Sequence, residues 1–209
     1  MVLVQISDPH VVDSNELCYN RVPTNELLRA AVKRINTLSI CPDAVIITGD
    51  LTDHGTANEY QAFRDIINEL ECDKFFVLGN HDDRDVFLEF FPNYKLLTQQ
   101  CAPFVQYAND SHPIRLIGLD TTTCSQLHGE LCTIRLRWIE ETLRSNQNQP
   151  TIIFMHHPPF MTGIRSMDRS GLQGAAEFLK IISCNPQVIR VVCGHIHRSI
   201  DNVKYFSLF

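Results

Sequence analysis

At 209 residues the chain is long enough for one domain with a substantial core and too short for two. An apolar share of 44% beside a charged share of 20% is that of an ordinary globular protein. The net charge of −6 argues against a nucleic-acid polymer as partner, which calls for a basic face. It does not exclude a small anionic substrate, because bound cations can reverse the field inside a site.

In chain order, short β-branched runs alternate with segments of helical period. A first strand is expected at Val2–Ile6. Thr24 can cap a helix whose apolar face is Leu27, Leu28, Ala31, Ile35 and Leu38, stopped before Pro42. After a strand at Ala44–Thr48, Thr56 and Glu59 form a capping box that opens a helix carrying Tyr60, Phe63, Ile67 and Leu70. A strand at Phe75–Leu78 precedes a helix over Asp82–Phe91, ended by Pro92. Strands at Phe104–Ala108 and Ile114–Leu119 follow, then a helix at Thr133–Ser145 and a strand at Thr151–Met155. The pattern closes with a helix at Ser170–Ser183 and strands at Val188–Val192 and Val203–Leu208. Several strands show almost no polar alternation, as strands covered on both faces do. This order predicts an α/β fold with sheet layers inside and helices outside, one domain over residues 1–209.

The eight cysteines are scattered, with no CxxC pair. Most read as small buried residues with reduced thiols, which fits a cytoplasmic location. The apolar run from Val2 ends at the charged Asp8, unlike a secretory leader. No run approaches the roughly 18 apolar residues of a membrane span, so no membrane partner is expected.

Polar residues capable of chemistry stand directly after the strands. SDPH gives Asp8 and His10, TGDLTDHG gives Asp50 and Asp53, and LGNHDD gives Asn80 and His81. FMHHPP adds His156 and His157, and CGHIH adds His195 and His197. In α/β sheets ligands bind in the crevice beyond the carboxyl ends of strands. Any one of these motifs could be a solvated loop. Their joint occurrence at five separate strand ends points to one rim. Hard oxygen donors mixed with imidazoles, and no thiolate among them, speak against a closed structural zinc site. They suit two divalent cations about 3.5–4 Å apart, which can clamp a phosphate and activate water near neutral pH. His54, His112 and His128 have no such context and read as loop residues, His157 as support or packing, and Trp138 as packing.

These motifs, DxH, GDxxDxG, GNHD, a lone His and GHxH in that order, resemble the calcineurin-like metallophosphoesterase superfamily from Val2 to about Ser199. The finer texture, ISDPH, GNHDD, IFMHHPP and CGHIH, is similar to its class III cyclic-nucleotide phosphodiesterase and bacterial glycerophosphodiesterase branch. The resemblance implies a four-layer αββα sandwich, two mixed β-sheets flanked by helices. It implies two divalent ions (Mn2+, Fe2+, Zn2+ or Co2+), one held by Asp8, His10 and His197, the other by Asn80, His156 and His195, with Asp50 bridging. His81 would sit at the phosphate and donate to it or to the leaving alkoxide, and the Asp53 carboxylate would orient His81. The reaction implied is in-line attack of a metal-bound hydroxide on a small phosphodiester, a 3′,5′-cyclic nucleotide or a glycerophosphodiester.

The chain ends at Phe209, shortly after His197. Relatives in that branch commonly continue into further strands and a cap that supports dimers, so the C-terminal part reads as short or truncated, and a homo-oligomer is compatible with it. A phosphomonoesterase is the rival enzyme, and a scaffold that has lost catalysis is the rival of another class. The loops over Asp13–Pro23, Gln99–His112 and Phe160–Ser170, which would read the substrate, carry no interpretable motif.

Overall fold

The computed structural model describes residues 1–14, 16–98, 101–124 and 126–202. The strand expected at Val203–Leu208 lies outside them. In chain order the elements are β1 (Leu3–Ile6), α1 (Thr24–Asn36), β2 (Ala44–Thr48), α2 (Ala57–Ile67), β3 (Asp73–Val77), α3 (Arg84–Phe90), α4 (Asn93–Leu97) and β4 (Tyr107–Asn109). There follow β5 (Arg115–Leu119), β6 (Gly129–Glu130), α5 (Thr133–Ser145), β7 (Thr151–Met155), α6 (Arg165–Arg169), β8 (Leu172–Gln173), α7 (Ala175–Ser183) and β9 (Val188–Cys193).

Two sheets carry the fold. The first has the order β1-β2-β3 and is parallel throughout. The second has the order β4-β5-β7-β9; here β4 runs antiparallel to β5 while β5, β7 and β9 are parallel. β6 and β8 form a separate two-stranded ladder.

Alternation along β5 and β7 shows how the layers stack. Leu116, Ile152 and Phe154 enter the core that also holds the β2 and β3 residues and the inner faces of α1 and α2. Their neighbours Ile117, Leu119, Ile153 and Met155 enter a second core with Ile139 and Leu143 of α5 and Phe178 and Ile182 of α7. Successive strand residues point to opposite faces, so these strands are covered by the other sheet on one side and by helices on the other. The result is helix, sheet, sheet, helix. Trp138 packs partly buried against the second core.

Local differences from the sequence reading have physical causes. The Thr56–Glu59 capping box is complete, and Tyr60, Phe63, Ile67 and Leu70 are all buried. Thr24, by contrast, does not cap α1, because its hydroxyl donates to the His10 carbonyl (2.7 Å). The buried face of α1 is Leu28, Val32 and Ile35, and Leu27 is exposed. The helix expected over Asp82–Phe91 starts at Arg84, because Asp83 caps it by accepting from the Asp85 and Val86 amides. Gly174, at φ 80°, breaks the helix expected from Ser170, so that α7 starts at Ala175 and Leu172–Gln173 pairs with β6. Nor are the cysteines mostly buried: Cys18 and Cys101 are, whereas Cys41, Cys124 and Cys184 are exposed. No helix among the described residues is long and apolar enough to cross a membrane.

A buried ionic knot joins the two halves near the strand ends. Asp120, directly after β5, accepts from Arg84 Nε at the start of α3 (2.8 Å) and from the amides of Val105 (2.8 Å) and Thr122 (2.9 Å). Burial alone would raise its carboxyl, but the Arg84 charge and these donors hold it below the ordinary value. The sign is that of a depressed acid: its stabilising contribution is complete above the unfolded carboxylate value and is lost as pH falls through the folded one. Asp120→Ala leaves the guanidinium without its buried partner. The expected cost is about 3 kcal/mol, a drop of roughly 6–12 °C in Tm by calorimetry. An unchanged Tm would show that the knot contributes nothing.

Candidate metal centre

The site is built by backbone turns that the strand ends force. Asp8 (φ 53°), His10 (φ 41°), Asp50 (φ 48°), His195 (φ 71°) and His197 (φ 50°) all have left-handed backbones although none is glycine. Each such residue costs about 1–2 kcal/mol, so strain is concentrated where five polar side chains are aimed at one place. Close approach also sets the glycine pattern. A Cβ on Gly79 would collide with the Asp50 carboxylate, and one on Gly49 would stand 2.5 Å from His156 Nδ1.

Two groups of donor atoms result. In the first, His10 Nε2 is 3.3 Å from His197 Nε2 and 3.5 Å from Asp50 Oδ2, and His197 Nε2 is 3.5 Å from Asp8 Oδ1. In the second, His156 Nε2 is 3.1 Å from Asn80 Oδ1, 3.2 Å from His195 Nδ1 and 3.4 Å from Asp50 Oδ2. The same Asp50 oxygen therefore faces both. All seven residues proposed as ligands come together here.

The far sides of the rings fix which nitrogens face inward. His10 Nδ1 donates to Asp53 Oδ1 (3.1 Å) and His156 Nδ1 to the Thr48 carbonyl (2.9 Å). His195 Nε2 lies 3.4 Å from Ser170 Oγ. Neutral rings so anchored turn lone pairs toward carboxylate oxygens and toward one another, an arrangement that only a proton or a metal cation reconciles. Atoms bound about 2.1 Å from a shared ion stand roughly 3.0–3.4 Å apart, close to the 3.1–3.5 Å seen. The donor set thus fits divalent metal.

The electrostatics are consistent with that. Burial would lift the Asp50 carboxyl, but the His156 ring, the His81 amide and His10 hold it below the ordinary range. Burial disfavours the charged His156 ring, yet Asp50 and Asp8 outweigh it and push the ring upward, to about 9. His10 is lowered, mainly by burial, and His195 is lowered to about 4 by burial and the His156 charge, as suits neutral donors.

His81 and Asp53 depart from the arrangement the resemblance implied. His81 Nδ1 donates to the Asp53 backbone carbonyl (2.7 Å), whereas the nearest Asp53 carboxylate oxygen is 3.8 Å away. The carboxylate is engaged by His10 Nδ1 instead, with His54 Nε2 at 3.6 Å. Asp53 therefore reaches His81 through its main chain and the metal group through its side chain. Asp53→Asn is expected to weaken metal binding by about 10–100-fold while leaving kcat at saturating metal nearly unchanged. A chelator competition assay with parallel kinetics checks this. Unchanged affinity with a collapsed kcat would instead place the carboxylate's role on His81.

His157 is buried between Thr121 Oγ1 (2.8 Å from Nδ1) and the Leu127 carbonyl (3.2 Å from Nε2), so both nitrogens are occupied and it supports the site. One residue that sequence reasoning passed over is Asp82. Half-buried, it accepts from the amides of Leu51 (3.0 Å), Thr52 (3.1 Å) and Gly79 (2.9 Å) and from the Tyr60 hydroxyl (3.1 Å). It welds the Asp50 loop to the Asn80 loop, and burial next to Asp50 raises its carboxyl to about 6 despite those donors. Its position within GNHD was the available signal.

The fold and site define a member of a known class. The chain belongs to the calcineurin-like phosphoesterase family, whose profile matches residues 1–199. It is similar to a probable glycerophosphodiester phosphodiesterase of Arcobacter nitrofigilis, 34% identical over 199 residues, which cover 95% of this chain and 72% of the relative. A 3′,5′-cyclic-nucleotide phosphodiesterase of Nostoc is 30% identical over 209 residues, covering 98% and 76%. A 3′,5′-cyclic adenosine monophosphate phosphodiesterase of Vibrio vulnificus is 30% identical over 199 residues, covering 95% and 70%.

Proposed function

We propose that this chain, acting as one domain over residues 1–209, hydrolyses small phosphodiesters with two divalent ions. The ions are manganese, iron, zinc or cobalt, and the substrates are 3′,5′-cyclic nucleotides or glycerophosphodiesters. The observation that carries the reading is the pair of donor groups sharing Asp50 Oδ2, at 3.5 Å from His10 Nε2 and 3.4 Å from His156 Nε2. Asp8, His10 and His197 would hold one ion, Asn80, His156 and His195 the other, with Asp50 between them. When bound, such ions neutralise the phosphate and make a water nucleophilic near neutral pH.

The chain's own groups supply the rest. His81 hangs at the rim, its side chain 30% exposed, with its amide fixed on Asp50 Oδ1 (3.0 Å) and Nδ1 fixed on the Asp53 carbonyl (2.7 Å). Its free nitrogen is Nε2, which in the imidazolium form can donate to a phosphate oxygen or give its proton to the departing alkoxide. His10 and His156 hold their protons on the far sides of their rings, away from substrate. The reading places the enzyme in the cytoplasm, with a small soluble diester as its partner, alone or as a homo-oligomer.

The test is a panel of cyclic AMP, a glycerophosphodiester, bis-nitrophenyl phosphate and nitrophenyl phosphate, run with each metal. Metal-dependent cleavage of diesters over the monoester supports the reading. A preference for the monoester makes the chain a phosphomonoesterase, and no turnover with any metal makes it a scaffold.

A further inference from the structure

A cavity of about 510 Å³ opens beside the second donor group, with His195 and Ile196 in its lining. We infer that it receives one ester arm of the substrate and selects a bulky, largely apolar arm; this rests on the diester reading above. Its walls are mainly Pro158, Phe160, Met161, Met167, Leu172 and Leu179. That volume falls within the roughly 300–1,000 Å³ of pockets that enclose drug-sized ligands, and leaves a three-carbon alcohol largely unsupported.

The cavity is held in shape from both sides. Asp168 accepts from the Thr162 amide (2.7 Å), the Thr162 hydroxyl (2.8 Å) and the Gly163 amide (3.1 Å), which closes the loop after Phe160 onto α6. The opposite wall is fixed by the β6–β8 pairing, by the Gly129 amide on the Gly171 carbonyl (3.2 Å) and by His157 Nε2 on the Leu127 carbonyl. Ser170, on the loop between α6 and β8, touches His195 Nε2, so this wall and the donor group form one continuous surface. Two groups on that surface could meet polar atoms of the arm. His128 is half-buried in the wall, and among the described residues its side chain has no hydrogen-bond or ionic partner; Arg169 is exposed at the cavity. A phosphate at the metals and a ring-sized arm here would satisfy the charged and the apolar parts of the site together.

The probes are diphenyl phosphate and dimethyl phosphate, which share the phosphate and differ only in their arms. Their binding to the zinc-loaded full chain is measured by calorimetry. Burial of one ring predicts at least about tenfold tighter binding of the diphenyl ester. Ala176→Phe places a ring in the cavity from an exposed position on α7 and should bring the two affinities to within about twofold. A readout that needs no variant comes from labelled methionine methyls, of which the chain has four. Diphenyl phosphate should shift Met161 and Met167 and leave Met1 unmoved. Equal affinities, or a preference that persists in folded Ala176→Phe with both methyls still, overturn the inference. Diester hydrolysis without arm preference rejects the cavity assignment alone. Binding in the cavity without hydrolysis of any diester upholds it and rejects the hydrolytic reading.

Discussion

Alanine at Asp50 is expected to abolish metal-dependent diester hydrolysis and to empty both metal positions together. Its Oδ2 stands against both donor groups, at 3.5 Å from His10 Nε2 and 3.4 Å from His156 Nε2. Its second oxygen holds the His81 amide (3.0 Å), so the same change loosens the residue placed to handle the proton. Removing a group that merely orients a ligand costs about 10–100-fold in affinity or activity, and loss of a shared ligand should exceed that. Metal content by emission spectrometry and turnover should fall together, with circular dichroism confirming the fold. A folded Asp50→Ala protein that keeps both ions would remove the basis for the shared-ligand arrangement.

Alanine at His81 should separate chemistry from metal binding. His81 belongs to neither donor group of the proposed centre; its ring stands edge-on to His10, with centroids 4.7 Å apart, and its Nδ1 is tied to a carbonyl. Loss of a positioned proton donor lowers kcat by about 10²–10⁴-fold. Metal content should be unchanged, and a substrate with a good leaving group such as nitrophenolate should be hurt less than an alkyl diester, because its departing oxygen needs no proton. An equal loss on both substrates would assign His81 to stabilising the phosphate oxygens rather than to the leaving group. Full kcat on both would remove it from the mechanism.

Much of this architecture was legible because strand periodicity and position coincide. Ala44–Thr48 and Thr151–Met155 are β-branched or apolar runs buried at every residue, and the chemistry follows them directly in sequence. What the sequence concealed depends on distant contacts. The buried stripe of α1 is decided by which face meets the sheet, and Val32 replaces the expected Leu27 there. β8 is two residues long and exists because Leu172 and Gln173 meet Gly129 and Glu130 across a gap of over forty positions. Asp120 and Arg84 carry no local signature of their pairing. Asp53 was visible as a residue of the site, but the folding that sets its carboxylate on His10 and its carbonyl on His81 was not. Left-handed backbone at Asp8, His10, Asp50, His195 and His197 is likewise invisible in residues that are not glycine.

The most direct test of the account is the metal stoichiometry of the full chain, measured by titrating metal-free protein with zinc or manganese in a calorimeter. Two ions per chain are expected for the unaltered protein, one for His197→Ala, which strips only the first donor group, and one for Asn80→Ala, which strips only the second. A single site in the unaltered chain, or no tight binding at all, would contradict it.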